Sequence, residues 1–246
     1  MPVTARTVSS ISSAALLGKV KNAAFERTAL SQSMNLVGEP AAKWYAAREA
    51  QDLQDPHQKT IAVVLDDDSA DAAGDIDLGT GKHTIAGWAR YGIPHAKTQH
   101  VPGEEPEYVR KKRDLMTNLP ASFKNVGIFA AFKKLQADAR AKYFDEEKDY
   151  VLEIISTSPE FERQGHGSRM LKWGTERADA ENAKLFLEAT PTGRPLYERH
   201  GFKAVEVLRV RLADHGVDGE GDEDGCVVFT IMIREPRGGC RVAELI

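Results

Sequence analysis

Residues 150–189 read YVLEIISTSPEFERQGHGSRMLKWGTERADAENAKLFLEA, and this stretch decides the fold. Its opening run, YVLEIIS, is a strand that ends before Pro159. A helix follows from about Gly165 to Asn182, with Met170, Leu171, Gly174 and Ala178 on one side. Asn182 tolerates the left-handed backbone of a helix C-cap. Residues 184–189 (KLFLEA) return as a strand. A strand–helix–strand crossover implies a parallel or near-parallel pair.

Between the first strand and the helix stands ERQGHGS, residues 162–168. Gly165 and Gly167 let the backbone turn tightly and approach a ligand without side-chain obstruction. The first amide N–H groups of a helix have no internal partners, and the helix dipole places positive charge there. Together they suit a diphosphate without lysines, although Gly-x-Gly alone also fits a plain tight turn. A dinucleotide-binding turn wants a third glycine where Met170 stands, and a Walker-type loop wants Gly-Lys-Ser/Thr. Neither is present.

Outward from this unit, residues 3–8, 60–65 (TIAVVL), 83–91 (HTIAGWARY), 202–212 and 226–233 (CVVFTIMI) read as strands, the second and third as a hairpin. Residues 12–25 read as a helix, and Pro40 opens another over 41–51, anchored by Trp44 and Tyr45. Residues 66–82 read as a loop. Residues 92–149 hold no strand signal: Pro94, Pro102 and Pro106 punctuate their start, and Phe129, Phe132, Leu135 and Ala139 mark a helix with one buried face. This insert is either a cap over a binding site or a packing extension. Val205 and Val207 share one alternation phase and Leu208, Val210 and Leu212 the other, which predicts a β-bulge. The acidic residues 214–224 lack EF-hand spacing and read as a solvated hairpin loop. The fold class is α+β: one domain over 1–246, built on a central, mostly antiparallel mixed sheet flanked by helices.

Composition excludes several classes. With 33 Lys+Arg against 37 Asp+Glu the net charge is -4, which argues against nucleic acid as a partner. The run RKKR at 110–113 is expected on a solvated helix face. Cys226 and Cys240 form no metal-ligand or disulfide pattern, so no metal is expected and the thiols are expected to be reduced. No apolar stretch approaches the ~20 residues of a membrane span, and the first residues have no signal-peptide design. The expected location is the cytosol, or cytosol and nucleus, with no membrane partner.

The stretches YVLEIISTSPEFERQGHGSRMLKWGTERAD and LEATPTGRPLYERHGF, with GWARY before them and TIMIREP after, resemble the GNAT superfamily of N-acetyltransferases, in the version common in filamentous fungi. The family's loop pattern is Gln/Arg-x-x-Gly-x-Gly/Ala; Gly165 and Gly167 match it, while Glu162 departs at its first position. The resemblance implies acetyl-coenzyme A as co-substrate. Amides of Arg163, Gln164, Gly165, His166, Gly167 and Ser168 would hold its pyrophosphate, and main-chain groups of Ile155, Ser156 and Thr157 its pantetheine arm. It implies Tyr197 as the acid near the sulfur, the alternative being a core tyrosine packed on Phe202. Thr190 stands where many members have an asparagine.

An alkylammonium with a pKa of about 10.4 needs a base or a desolvating pocket before it can attack. Glu153 is named as that base, its alternative being an ordinary strand carboxylate. His166 is expected to point to solvent, Trp88 and Arg90 to line the acceptor pocket, Trp44 and Trp173 to be core, and His95 and His100 to be surface histidines. The leading expectation is acetyl transfer to the primary amine of a small molecule by direct attack in a ternary complex. A protein α-amine or lysine is the alternative acceptor, and an acyl-coenzyme A-binding regulator the alternative of another class.

Overall fold

The computed structural model describes residues 4–65, 75–97 and 105–238. Pro102, His100, Cys240 and most of the loop expected at 66–82 lie outside the described residues. In chain order the elements are β1 (Thr4–Val8), α1 (Ala14–Phe25), α2 (Ala29–Ser33), α3 (Gly38–Asp52), β2 (Gln58–Val64), β3 (Ile85–Gly92), α4 (Glu107–Thr117) and α5 (Val126–Tyr143). They continue as β4 (Tyr150–Thr157), α6 (His166–Ala180), β5 (Leu185–Ala189), α7 (Arg194–Arg199), β6 (Lys203–Arg211) and β7 (Cys226–Arg234).

Among the described residues the strands form one sheet in the order β1-β2-β3-β4-β5-β7-β6. β4 and β5 are parallel and every other neighbouring pair is antiparallel. The mixed, mostly antiparallel sheet is therefore as expected, including the parallel pair across α6. Asn182, at φ 52, is left-handed, and the amide of Ala183 donates to Ala178 O at 2.9 Å, which closes the end of α6.

Both faces of the central strands are covered, which explains why β2 reads as unbroken apolar sequence. Ile61 and Val63 join Met170, Leu171 and Ala178 of α6 in one cluster, whereas Ala62 and Val64 join Leu17 and Val20 of α1 in another. Within the insert, Ile128 and Phe132 of α5 meet Trp44 and Tyr45 of α3 and Val210 and Val227 of the last hairpin. No described helix is long and apolar enough to cross a membrane.

Three details differ from expectation. α2 carries too few residues to show a period; Thr28 caps it, its Oγ1 accepting from Ser31 N at 3.3 Å. The bulge in β6 lies at Val205, between the pairs Ala204↔Met232 and Glu206↔Ile231, not at the phase change. Val205 and Val207 are exposed and Leu208 and Val210 buried, so that alternation is continuous and the bulge precedes it. Trp88 is fully buried, its indole donating to Leu17 O at 2.9 Å, so it lines no acceptor pocket.

Gly87 fixes the spacing of β3 and β4. A Cβ there would stand 2.3 Å from Ser156 O and 2.9 Å from Thr157 Cα, both main-chain atoms that cannot rotate away. The Gly87→Ala variant is expected to lose about 2–3 kcal/mol of stability, read as a lower urea midpoint.

Candidate active site

β4 and β5 pair only at Tyr150↔Leu185, Val151↔Phe186 and Leu152↔Leu187. Beyond Leu152 they diverge. Ile155, Ser156 and Thr157 keep β3 on one side, and their opposite backbone edge has no strand partner among the described residues. The divergence starts at a bulge: Arg90 faces Ile154 and Tyr91 faces Leu152, so Glu153 is the extra residue. An extra residue bends its strand and increases the local twist.

The cleft leads to the loop before α6. Arg163 (φ 62) and Gly165 (φ 83) are both left-handed, and only the glycine was legible as a turn residue. Gly165 is the N-cap of α6 and no side chain caps the helix. The amides of Arg163 through Ser168 have no main-chain acceptor among the described residues; the first bond is Arg169 N to Gly165 O at 3.1 Å. A row of free donors at the positive end of a 15-residue helix is suited to a phosphate group. Glu162, the residue that departs from the family pattern, is exposed. Ser168 Oγ is 3.0 Å from His200 Nε2, and Gly167 lies against Leu196 of α7.

His166 does not point to solvent: it is 5% exposed, and neither ring nitrogen has a hydrogen-bond partner. Burial, with the charge of Arg169, holds its pKa below the ordinary value, and burial does the same to His200 beside Arg199. Each therefore binds fewer protons folded than unfolded, so stability present above the unfolded value of about 6.5 is lost as pH falls through it. Urea denaturation between pH 7.5 and 5.5 is expected to show falling stability, with a shallower slope in His166→Gln.

Tyr197, on α7, is 6% exposed and meets Phe202 edge-on at 5.9 Å between ring centroids. It shares a cluster with Ala189 at the end of β5, where the cleft is open. Its hydroxyl has no hydrogen-bond partner among the described residues, and burial raises its pKa above the usual phenol value. Thr190 is engaged locally, its Oγ1 accepting from Gly193 N at 3.2 Å.

Glu153 is held by Arg140 of α5 through two parallel bonds of 2.9 Å. Burial raises its pKa, but the Arg140 charge and hydrogen bonds outweigh this and bring it down to about 2. Such a carboxylate is a poor proton acceptor at neutral pH, which favours the alternative given for Glu153, a strand carboxylate, over the base. Arg140 also bonds Glu188 of β5, Nε to Oε1 at 2.9 Å, so one guanidinium spans the mouth of the cleft. Gln136 donates to the same Glu188 at 3.0 Å.

Beside Glu153 lies a cavity of about 260 Å³, lined also by Arg48, Arg90, Lys112, Lys133 and Arg140. Arg90 borders this cavity and is buried in ion pairs with Glu49 and, at 2.9 Å, Asp52. Sequence reasoning missed the other cations. Their signal was present on α5, where Lys133, Gln136 and Arg140 recur at helical spacing. Trp44 is core as expected, while Trp173 is half-buried against Tyr91 at 5.2 Å and borders a separate cavity of about 490 Å³ with Tyr150 and Arg177. Arg177 lies eleven residues into α6, roughly 16 Å along its axis from the loop. His95 stacks near His57, and with Glu146 and Glu147 offers surface ligand atoms within 4.8 Å of one another, an arrangement common without an ion.

Residues 126–204 match the family model described as an acetyltransferase (GNAT) domain. No curated protein matches the chain. Among solved structures the chain is similar to arylalkylamine N-acetyltransferase 2 from Aedes aegypti, at 19% identity and a TM-score of 0.58, covering 96% of this chain and 99% of that one. It is also similar to histone acetyltransferase HPA2 and related acetyltransferase from Corynebacterium glutamicum, at 16% identity and a TM-score of 0.56, covering 98% and 99%. At these identities the likeness is one of fold. The family model matches about a third of the chain, residues 126–204, and the fold around it is that of these acetyltransferase structures.

Proposed function

We propose that this chain is an acyltransferase that moves an acetyl group from acetyl-coenzyme A to the primary amine of a small molecule, by direct attack in a ternary complex. The observation that carries this reading is the β4–β5 cleft running into the free amides of Arg163–Ser168. The pyrophosphate would take those amides. The pantetheine would add to the open edge of β4 at Ile155, Ser156 and Thr157, as an extra strand does. The acetyl group would then sit near the bulge at Glu153.

Attack by the amine forms the C–N bond and breaks the C–S bond, and the proton lost by the amine ends on the departing thiolate. Tyr197 serves as hydrogen-bond donor to that sulfur. Its raised pKa keeps it protonated at neutral pH and well above a thiol near 8.5, so it stabilises the developing thiolate without giving up its proton outright. With Glu153 tied to Arg140, deprotonation of the amine falls to its surroundings: nearby cations disfavour an ammonium and lower its pKa.

Calorimetry with coenzyme A, and thiol release from acetyl-coenzyme A over a panel of amines and peptides, test the proposal. Binding with turnover of small amines is expected. Turnover of peptides alone would move the acceptor to a protein, binding without turnover on any acceptor would favour a regulatory role, and absence of binding would end the reading.

A further inference from the structure

The identity of the acceptor can be narrowed, on the basis of the acyltransferase reading above. We infer that the acceptor is a small amine that also bears a carboxylate or phosphate group, held by Arg48 and Lys133 in the cavity beside Glu153.

The first observation is position. Glu153 belongs both to the cavity wall and to the bulge where the cleft opens, so a molecule in the cavity is next to the predicted acetyl group. At about 260 Å³ the space falls below the range of drug-sized sites, which suits an acceptor of amino-acid size.

The second is charge. Glu49 and Asp52 pair with Lys21, Arg90 and Lys112, and Glu153 and Glu188 pair with Arg140. Arg48 and Lys133 line the same space with no ion-pair partner among the described residues. The Arg48 guanidinium lies 5.0 Å from the Trp44 ring, and the Lys133 ammonium 5.8 Å from that of Phe129. These contacts favour one placement of each cation without neutralising it. A simple alkylammonium entering here meets like charge, whereas a carboxylate or phosphate on the same molecule supplies what is missing.

The third is unmet hydrogen bonding. Buried polar atoms are nearly always paired. Yet Nε of Arg48, Nε of Arg90, Oε1 of Gln58 and Oε1 of Gln136 are buried without a partner, and all four residues line this cavity. Arg90 is only 5% exposed. Two orphaned donors and two orphaned acceptors match a ligand having both an anionic group and an amine N–H.

The test uses matched acceptors with the full chain: β-alanine against propylamine, and 2-aminoethylphosphonate against ethylamine. The anionic member of a pair is expected to have a kcat/KM at least about tenfold higher, the scale of one charged hydrogen bond. Comparing the two pairs shows whether carboxylate or phosphate is preferred. Arg48→Met should raise the acceptor KM about tenfold with the KM for acetyl-coenzyme A unchanged, and Arg48→Lys should recover part of it. Equal or better use of the uncharged amines, with coenzyme A still bound, overturns this acceptor class but leaves the acyltransferase reading standing. If none of these amines is turned over, the coenzyme A complex is heated with inorganic phosphate or glutarate. A rise in Tm that Arg48→Met/Lys133→Met abolishes supports the proposal, and no rise overturns it.

Discussion

The Tyr197→Phe variant is expected to turn over about a hundredfold more slowly while binding coenzyme A as tightly as the parent chain. The size follows from removing one hydrogen-bond donor aimed at developing charge in a water-poor site. The separation of rate from affinity follows because a phosphate-binding loop at Arg163–Ser168 would hold the coenzyme independently of α7. The hydroxyl has no hydrogen-bond partner among the described residues, so its loss leaves none of them unpaired and the unfolding midpoint should barely move. Steady-state thiol release, calorimetry and urea denaturation on the same preparation check the three parts. Equal turnover would remove Tyr197 from the chemistry and make it a core residue packed on Phe202.

Arg140→Met is expected to cost about 3 kcal/mol of stability and to suppress activity. Arg140 bonds one carboxylate on each side of the cleft, and Glu153 and Glu188 are 23% and 6% exposed at their side chains. Truncation leaves two neighbouring carboxylates in a partly desolvated place without the guanidinium that bonds both, Gln136 keeping its bond to Glu188. A second substitution, Glu153→Gln, removes one of those charges, so the double variant should recover part of the loss. In the parent chain, Glu153 near 2 contributes stability that is present above its unfolded value of about 4.3 and is lost as pH falls toward 2. Arg140→Met should lack that acid-range dependence. An unchanged midpoint would mean the clamp is a surface-like pair with no structural role.

Local features were legible in the sequence because their causes are local. The crossover from β4 through α6 to β5 is written in period and turn residues within one stretch, and Asn182 closes the helix as its left-handed tolerance predicts. Where a reading failed, packing had changed the meaning of a residue. Trp88 looked like a pocket residue on GWARY, but the helix hairpin of α1 and α3 covers that face and takes its indole N–H. His166 looked like a loop bystander, but its position at the head of α6 buries it. For Glu153 the sequence left base and strand carboxylate open, and only the arrival of α5 puts Arg140 on it.

The loop ERQGHGS, with which the fold was read, is thus a property of the sequence: strand, turn and helix start follow one another within hydrogen-bonding reach along the chain. The sequence by itself determined the sheet class, the crossover and the turn that opens α6. The tertiary structure decided the cleft and the charges beside it. Glu49 meets Arg90 across 41 positions and Arg140 meets Glu188 across 48, so which cations are neutralised and which remain free depends on how helices dock on the sheet. Periodicity reports which side of an element is buried, but an ion pair between distant segments has no period, and its consequence for an acceptor amine emerges only when those segments meet.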